Sequence, residues 1–401
     1  MKIFVLGAGV AALAFASFFK ENKINIIEKN SFAGRKLLAT GNGRCNFTNL
    51  NLSYDNYFSA NRDFVKYALD NFSNKDLFKH FEKMGIEWTS LESGRAYPKT
   101  MSSKTVRDCL YLEAKDMANF IFDTEVIAID FKNKLLYTSK NKFSYDVLVI
   151  ASGGNTLKNS GSDGKVWQML KKETNIIDPM PAITNYLALN PLPKACKGTK
   201  VRARASLKID GKKIKDSTDD VIFQAYGLTG TAILNLSTYI SLGLRNKKDV
   251  SIDIDFYPEC SYNTLLEKLM AKAKRYPQRS FEELLLGFLH ENLIKEIIKR
   301  SNIRNFKDKT KALSIICKTL KSTSFKIIDA HDKTNAQVSL GGVDTKRINP
   351  KTMKSLDIRD TYFIGEVMDV AGDCGGYNIQ WAFSSAKCAS DDIRRLYVKD
   401  K

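Results

Sequence analysis

The N-terminal stretch of the chain alternates strand-like and helix-like patterns around a glycine turn. KIFVL is a short apolar run typical of a buried strand, GAGVAA follows it, AALAFASFFKEN has helical spacing, and INIIE is a second strand that ends at Glu28. This order predicts a Rossmann-type nucleotide-binding unit in an α/β fold. Gly7 permits the tight turn, Gly9 lets the backbone approach a pyrophosphate, and Ala12 is small enough for close helix–strand packing.

Both ends of this unit indicate what it binds. The helix that starts at Val10 and Ala11 presents N–H groups and the positive end of its dipole to a phosphate. Glu28, 19 residues after Gly9, is placed to accept hydrogen bonds from a ribose diol. The pattern does not separate NAD from FAD, and a tight turn in some other α/β fold is the alternative.

A glycine-rich basic loop, GRKLLATGNGRCNFTN, runs from Gly34 to Asn49. Its glycines suit positive φ angles or close approach to a ligand. Arg35, Lys36 and Arg44 can face phosphate or the polar edge of a flavin. A loop of this kind fits FAD, which is bound in an extended form and needs contacts beyond its adenosine half. FAD is therefore the predicted cofactor.

Composition limits the class of protein. The 401 residues carry 63 Lys and Arg against 44 Asp and Glu, a formal charge of +19, which fits either a polyanion such as RNA or a phosphate-bearing ligand in a lysine-rich protein. The basic residues are scattered and form no compact basic–aromatic module, so the predicted partner is a small molecule rather than nucleic acid. The seven cysteines show no CxxC spacing, and the three histidines form no HExxH motif, so no metal site is predicted.

Cysteine usage also bears on the compartment. An odd number of cysteines without a disulfide pattern predicts a reduced, cytoplasmic protein. The apolar run Ile3–Phe19 resembles a signal peptide, but two glycines interrupt it and a second strand follows at once. The run is therefore predicted to be an element of the fold. No membrane partner is predicted, and the protein is predicted to be a monomer or a homodimer.

Two further glycine turns follow strand-like runs. YDVLVIASGG predicts a buried strand whose end, Ala151–Gly154, approaches the cofactor, because ligands lie beyond the carboxyl ends of strands in open α/β sheets; a plain β-turn is the alternative. TYFIGEV predicts a strand, and a helix is predicted from Asn378 to Leu396, directly after Gly375–Gly376. The dipole of that helix would stabilise negative charge on reduced flavin. Glu366 or Asp369 would bond ribityl hydroxyls, unless both are solvated loop residues.

These motifs resemble those of the bacterial BaiN-like (YhiN-type) FAD-dependent oxidoreductases, which carry a GRKLLxSGxGRCNxTN signature. Further matches run in order along the chain: ESGRAYPKTMSSKTVRDCL, YDVLVIASGG, GSDG, YGLTGTAILNLS, AQVSLGGV, INPKTMKS and YFIGEVMDVAGDCGGYNIQWAFSSA. The resemblance implies a glutathione-reductase-like FAD-binding Rossmann domain made from both ends of the chain, with an inserted β-barrel-like and helical region. This chain departs from the family pattern at Ala12, Ala151-Ser152, Gln224-Ala225 and Thr231.

The predicted boundaries follow these motifs. The FAD-binding domain takes residues 1–185, a β-rich insert 186–260 and a helical insert 261–322, and residues 323–401 return to the insert strands and then, from about 336, to the FAD-binding domain. TKVRARASLKIDGKK alternates with period two around an Asp-Gly turn. Ser280 and Glu283 have the spacing of a capping box before the helical stretch SFEELLLGFLHENLIKEIIKR.

The predicted cofactor-binding residues lie in the glycine turns, in the loop Gly34–Asn49, at strand ends or at the start of the last helix. They are Gly7, Gly9, Val10, Ala11, Glu28, Lys29, Arg35, Lys36, Gly43, Arg44, Cys45, Asn46, Val126, Ala151, Ser152, Gly153, Gly154, Gly365, Glu366, Asp369, Gly375, Gly376, Tyr377, Asn378 and Ile379. For Cys45 and Cys374 the choice is between a small residue beside the flavin and a redox-active thiol.

The predicted function is an FAD-dependent oxidoreductase that transfers hydride or electrons to or from a small organic substrate, with NAD(P)H as a transient reductant. The chain has one complete GxGxx(G/A) turn and no CxxxxC pair, so a second nucleotide domain and a disulfide relay are not expected. The alternatives are a flavin-dependent tRNA-modifying enzyme, motivated by the charge, and a non-catalytic flavin sensor. No residue stands out as a catalytic acid or base.

Overall fold

The structure is a computed structural model. It describes residues 1–19, 24–303 and 308–397. The chain forms two compact units: the first unit comprises Met1–Ala182 and the chain from Thr334 onward, and the inserted unit comprises Ile183–Lys333. The first unit is thus assembled from both ends of the chain.

The core of the first unit is a parallel sheet of five short strands. In spatial order the strands are Thr361–Phe363, Val147–Ile150, Ile3–Leu6, Ile24–Ile27 and Ala118–Ile121. Two neighbouring strands of this sheet are each followed by a glycine turn. They are Val147–Ile150 and Ile3–Leu6, and every residue in them is buried. Parallel strands covered on both faces are apolar throughout, which explains why these segments show no alternation.

Three helices pack around this sheet: Val10–Phe18, Ser103–Met117 and Tyr377–Tyr397. The first helix, Val10–Phe18, packs on both of the others. Its residues from Ala11 to Ser17 are all buried. A helix that is apolar on every side belongs in a core, so burial accounts for the run that resembles a signal peptide.

Smaller elements complete the first unit. Its other helices are Phe64–Asn71, Asn74–Lys83 and Lys165–Leu170. Two three-stranded antiparallel sheets consist of Lys142–Ser144, Leu135–Thr138 and Val126–Asp130, and of Thr48–Asn49, Arg95–Pro98 and Trp88–Ser90. Two strand pairs join the N-terminal and C-terminal parts of the chain: Tyr57–Phe58 with Ala371–Gly372, and Ile176–Ala182 with Val338–Val343.

The inserted unit is built on a closed barrel of six strands, as the resemblance implied. Around the barrel the strands are Asn185–Ala188, Gly227–Thr229, Lys212–Gln224, Lys200–Ile209, Val250–Asp255 and Thr323–His331. The longest hairpin turns at Asp210 and Gly211, whose φ angles of 48° and 76° are those of a two-residue type I′ turn. The predicted Asp-Gly turn is confirmed.

Among the described helices of the inserted unit, the first two lie within residues 186–260, which were predicted to be β-rich, and the other four lie in the predicted helical stretch 261–322. They are Thr231–Leu234, Ser237–Arg245, Tyr262–Arg275, Phe281–Leu285, Glu291–Arg300 and Lys309–Lys321. The capping box is confirmed, since the Ser280 hydroxyl accepts the Glu283 N–H at 3.2 Å and the Glu283 carboxylate accepts the Ser280 N–H at 2.8 Å. The stretch that follows is two helices rather than one, because Gly287 has a φ of +82° that a continuous helix does not allow.

Candidate functional site

The glycine turn after the first strand packs against the end of the neighbouring strand. Gly7 has a φ of +93°, and a Cβ built on it would lie 2.8 Å from the carbonyl oxygen of Ala151, so only glycine fits. Gly9 is different: its φ of −73° suits any residue, and the nearest atom to a Cβ built on it is 4.0 Å away. Neither the backbone nor packing within the protein explains a glycine there. The space in front of Gly9 suits a ligand that approaches the backbone closely.

The first helix begins directly behind that space. No side chain caps its start at Val10, and its first turn contains no acidic residue. A C-terminal segment closes on the same helix start, because a Cβ built on Gly365 would lie 2.8 Å from the Cβ of Ala11. The helix start therefore offers N–H groups and a positive dipole end at a point where both ends of the chain meet.

Glu28 lies at the end of the second strand and is buried. One carboxylate oxygen accepts the Ala8 N–H at 2.7 Å, and the other accepts the Asn30 N–H at 2.8 Å and the Asn30 side-chain amide at 2.6 Å. A carboxylate has about four acceptor positions, so these bonds leave about one for a ribose hydroxyl. Glu28 thus fixes the glycine turn to the second strand in addition to its predicted role.

The opening loop joins the C-terminal segment through an ion pair. The Lys36 ammonium lies 2.6 Å from a carboxylate oxygen of Glu366 and donates to the Thr156 hydroxyl at 3.1 Å. Glu366 also accepts the Ser339 N–H at 2.8 Å, while the Ser339 hydroxyl accepts the Asn155 N–H at 2.9 Å. Four separate stretches of the chain therefore converge on one half-buried polar network.

The other predicted basic residues contact protein groups at the surface or near it. Lys29 forms an ion pair with Asp163 at 2.8 Å. Arg35 is exposed and donates to the Asn30 side-chain oxygen at 3.0 Å. Arg44 is exposed and lies over the Tyr97 ring, 5.3 Å from its centroid. That these three residues bind a cofactor phosphate stays a prediction.

The turn after the strand Val147–Ile150 lies between two polar groups. Gly154 packs so closely on the Ser339 hydroxyl that a Cβ on it would overlap that oxygen, and the Cβ would also lie 2.8 Å from Glu366. Gly153 has a φ of +73°, and a Cβ on it would lie 3.0 Å from the Ser162 hydroxyl. The structure thus places this turn beside the polar network.

The last helix starts against the opening loop. A Cβ on Gly376 would lie 2.6 Å from backbone atoms of Thr48, so this glycine is required by close packing. The Asn378 side chain accepts the Gly372 N–H at 2.8 Å and donates to the Gly372 carbonyl at 2.9 Å. Tyr377 is buried, and its burial raises the pKa of its hydroxyl to about 12. These side chains hold the turn before the helix in place.

The remaining predicted residues are mostly buried in structural positions. Asp369 accepts the Ala60 N–H at 2.8 Å, and Asn46 donates its side-chain amide to the Thr48 and Ala96 carbonyls at 3.1 and 2.9 Å. Val126 is buried in a small sheet, and Ile379 is buried in the last helix. That these residues bind a cofactor stays a prediction.

Cys45 is fully buried, and Cys374 is half-buried. Burial raises the pKa of the Cys45 thiol to about 12, although a hydrogen bond with Thr40 opposes the rise. A nucleophilic or redox-active cysteine needs thiolate character and access to solvent. The environment of Cys45 therefore favours a small residue that fills space in the loop.

The sequence missed three polar residues of this region, Thr156, Ser339 and Asn30. Ser339 lies in AQVSLGGV, a motif that the resemblance singled out without assigning it a role.

Within residues 1–19, 24–303 and 308–397, no group of three or more His, Cys, Asp or Glu side chains is arranged to hold a metal ion. Among the helices that the structure describes, none combines the length and apolarity that crossing a bilayer requires.

Comparison with known proteins decides the family. A model described as the HI0933-like protein Rossmann domain matches residues 1–392. The chain belongs to the HI0933-like family. Membership of this family confirms the predicted resemblance, the Rossmann-type α/β fold and the class of enzyme, an FAD-dependent oxidoreductase.

Two curated relatives match over nearly their whole length. The chain is 28% identical to the 3-dehydro-bile acid delta(4,6)-reductase of Clostridium scindens, over 97% of this chain and 98% of the relative. It is also 28% identical to the ribosomal RNA dihydrouridine synthase of Escherichia coli, over 97% of both chains. A HI0933-like chain can therefore resemble enzymes with very different substrates to the same degree.

Solved structures show the same fold at low identity. The E. coli quinol fumarate reductase subunit FrdA aligns with a TM-score of 0.51 and 12% identity, covering 100% of this chain and 71% of the subunit. The 3-ketosteroid delta1-dehydrogenase of Sterolibacterium denitrificans aligns with a TM-score of 0.50 and 10% identity, covering 98% of this chain and 99% of the enzyme. These similarities extend to the fold alone.

Proposed function

We propose that this protein binds FAD and uses it, with NAD(P)H as transient reductant, to reduce a carbon–carbon double bond conjugated to a carbonyl group. The observation that carries the proposal is Gly9, a glycine that neither its φ of −73° nor any packing atom nearer than 4.0 Å explains. A dinucleotide pyrophosphate against the backbone gives that glycine a reason.

The residues around Gly9 fit FAD. The uncapped start of the first helix would hold the pyrophosphate through its N–H groups, and Glu28 would accept one ribose hydroxyl at its remaining acceptor position. The Lys36–Glu366 pair would orient the part of the cofactor that lies past the adenosine half. FAD, when bound, supplies two-electron hydride chemistry, and the protein supplies orientation, electrostatics and exclusion of water.

The names of the relatives narrow the reaction class. A delta(4,6)-reductase removes ring double bonds of a 3-dehydro bile acid, and a dihydrouridine synthase saturates a double bond of uridine. Each double bond that is saturated takes up two electrons and two protons, and in both substrates the reduced double bonds are conjugated to a carbonyl group. The shared chemistry, rather than either substrate, is what we transfer to this chain.

The test is a screen of acceptors with the purified protein under anaerobic conditions. Cyclic unsaturated ketones of increasing size are supplied with NADH or NADPH, and the saturated products are measured. The proposal predicts turnover with at least one unsaturated ketone and none with its saturated analogue. A protein that neither retains nor takes up FAD would contradict it.

RNA is the second candidate substrate, and the charge distribution favours it. Residues 183–333, the inserted unit, contain 28 Lys and Arg against 16 Asp and Glu, which is +12 of the total of +19. Composition alone predicted a small molecule rather than nucleic acid as the partner, because the basic residues are scattered along the chain. Its concentration in one unit, together with relatives named for a ribosomal RNA reaction, supports RNA as a substrate.

One surface of the inserted unit has the chemistry that RNA requires. Basic side chains surround a half-buried tyrosine there: the Arg279 guanidinium lies 3.7 Å and that of Arg275 5.4 Å from the Tyr276 ring centroid. Lys309 reaches the same segment and donates to the Pro277 carbonyl at 2.7 Å. We call this surface the Tyr276 patch. A uridine-containing RNA in the acceptor screen, with dihydrouridine as the product measured, separates this candidate from the first.

A further inference from the structure

Ser162 has a hydroxyl with an unusual environment. The residue is 5% exposed, and its oxygen has no hydrogen-bond partner within the part of the chain that the structure describes. Nearly all buried polar side-chain atoms in proteins are hydrogen-bonded, because an unsatisfied one costs free energy. A buried hydroxyl of this kind is free to donate a hydrogen bond to a group that is not part of the protein.

The segment that carries Ser162 is held firmly on both sides. Asn30 donates its side-chain amide to the Ser160 carbonyl at 3.2 Å, and Lys29 forms its 2.8 Å ion pair with Asp163. Gly161, between them, has a φ of +99° and packs on the Asn30 side chain. The position of the Ser162 hydroxyl is therefore set by the end of the second strand.

That hydroxyl points toward the carboxyl edge of the parallel sheet. It lies 3.0 Å from the position that a Cβ on Gly153 would take, and Gly153 follows the strand Val147–Ile150. Asn30, which holds its segment, also bonds both Glu28 and the Ser160 carbonyl. Ligands of open α/β sheets bind at this edge, and Asn30 joins the segment of Ser162 to Glu28, the acid proposed to bind ribose.

We propose that Ser162 donates a hydrogen bond to an oxygen in the ADP half of FAD. The inference rests on the proposed cofactor and adds to it a residue of GSDG, a motif to which the resemblance assigned no role. This bond would explain why the hydroxyl lacks a partner in the protein although it is held in a fixed position at the sheet edge. Because Asn30 joins the segment of Ser162 to Glu28, the proposed contact belongs to the ADP half and does not involve the flavin ring.

The experiment is isothermal titration of the flavin-free protein with ADP and with FAD, comparing wild type, Ser162→Ala and Ser162→Cys. Loss of a hydrogen bond to an oxygen of the ADP half predicts that both variants bind ADP and FAD about 5- to 100-fold more weakly than wild type. The cysteine keeps the volume of the side chain but is a weak donor, so it separates the hydrogen bond from packing. Riboflavin, which lacks the ADP half, should be bound equally by all three proteins.

Ser390→Ala is the matched control, since Ser390 has another buried hydroxyl without a hydrogen-bond partner in the described chain but lies far along the last helix. Its affinity for ADP should equal that of wild type. Wild-type affinity in Ser162→Ala, or full affinity in Ser162→Cys, would overturn the role of Ser162 and leave the cofactor proposal intact. Failure of wild type itself to bind FAD and ADP would overturn both.

Discussion

The ammonium of Lys36 lies 2.6 Å from the carboxylate of Glu366, across a separation of 330 residues in the chain. Both side chains are about four-fifths buried, with 22% and 19% of their surfaces exposed. The pair fixes the glycine-rich loop to the segment that precedes the last helix. This ion pair joins the N-terminal and C-terminal parts of the chain that make up the first unit.

Breaking this pair should destabilise the first unit. Removal of one member of a mostly buried pair leaves a charge without its partner, so Lys36→Met and Glu366→Gln should each lower the free energy of unfolding by about 1–3 kcal/mol. In a double-mutant cycle followed by chemical denaturation, the coupling between the two changes should be about 1–2 kcal/mol. If the effects of the two substitutions on the free energy of unfolding are additive, the ion pair does not contribute to stability. Lys66→Met, which removes an exposed pair with Asp63, should have no measurable effect.

Gly7 and Gly9 should respond to alanine in opposite ways. Gly7→Ala places a Cβ 2.8 Å from a carbonyl oxygen at a φ of +93°, so it should destabilise the protein by about 2 kcal/mol or more. Gly9→Ala has a compatible φ and free space, so the flavin-free protein should be as stable as wild type or up to about 1 kcal/mol more stable. Its affinity for FAD should nevertheless fall at least about 100-fold, because the methyl group occupies the space of the pyrophosphate. Thermal unfolding and FAD titration of the two variants measure both effects, and normal FAD binding by Gly9→Ala would contradict the proposed site.

The Cys45 thiol should make stability fall in alkaline solution. Its pKa is about 12 in the folded protein against an ordinary value of 9.0, so between these values the folded state keeps a proton that the unfolded state loses. Stability is then complete below pH 9 and decreases as the pH rises, by about 1.4 kcal/mol per pH unit. Relative to Cys45→Ala, wild type should therefore lose about 1.4 kcal/mol of unfolding free energy between pH 8 and pH 10. An unchanged difference between the two proteins, or rapid labelling of Cys45 by a thiol reagent at pH 8, would show that the thiol is not buried.

The Tyr276 patch should bind RNA phosphates if the second candidate function holds. The double variant Arg275→Ala/Arg279→Ala should bind a ribosomal RNA fragment about 10-fold more weakly and with a salt dependence lower by one to two phosphate contacts. Fluorescence anisotropy at several salt concentrations measures both quantities. Lys132→Ala/Lys140→Ala removes the same charge from an exposed part of the first unit and is the control. If both double variants lose RNA affinity to the same extent, the loss reflects net charge alone, which would contradict a specific role of the Tyr276 patch.

Local patterns predicted the elements whose cause is local. The first strand, the glycine turn and the first helix follow from an apolar run, two glycines and helical spacing, and the structure contains each of them. The Asp210-Gly211 turn and the capping box at Ser280 are equally local, since each depends on residues that are neighbours in the chain. These features could be predicted because their physics involves only a few consecutive residues.

Contacts between distant residues could not be predicted in this way. The sequence predicted Lys36 and Glu366 separately as cofactor ligands, and nothing in either motif indicates that they pair with each other. The same holds for Glu28, whose bonds to Ala8 and Asn30 depend on how the turn folds back onto the second strand. Ser162 lies in GSDG, a motif that the resemblance singled out without assigning it a role, and its missing hydrogen bond becomes visible only in three dimensions.

The most direct test of the proposed reaction is an anaerobic single-turnover experiment with the flavin-loaded protein. The flavin is first reduced with a stoichiometric amount of NADPH or NADH, and the reduced protein is then mixed with an unsaturated ketone or with a uridine-containing RNA while the visible absorbance of the flavin is recorded. Reduction of the double bond by the flavin predicts that the flavin is reoxidised with about one saturated product formed per flavin, and that the saturated analogue does not reoxidise it. A flavin that stays reduced with every unsaturated acceptor, while oxygen reoxidises it normally, would contradict the proposed reaction.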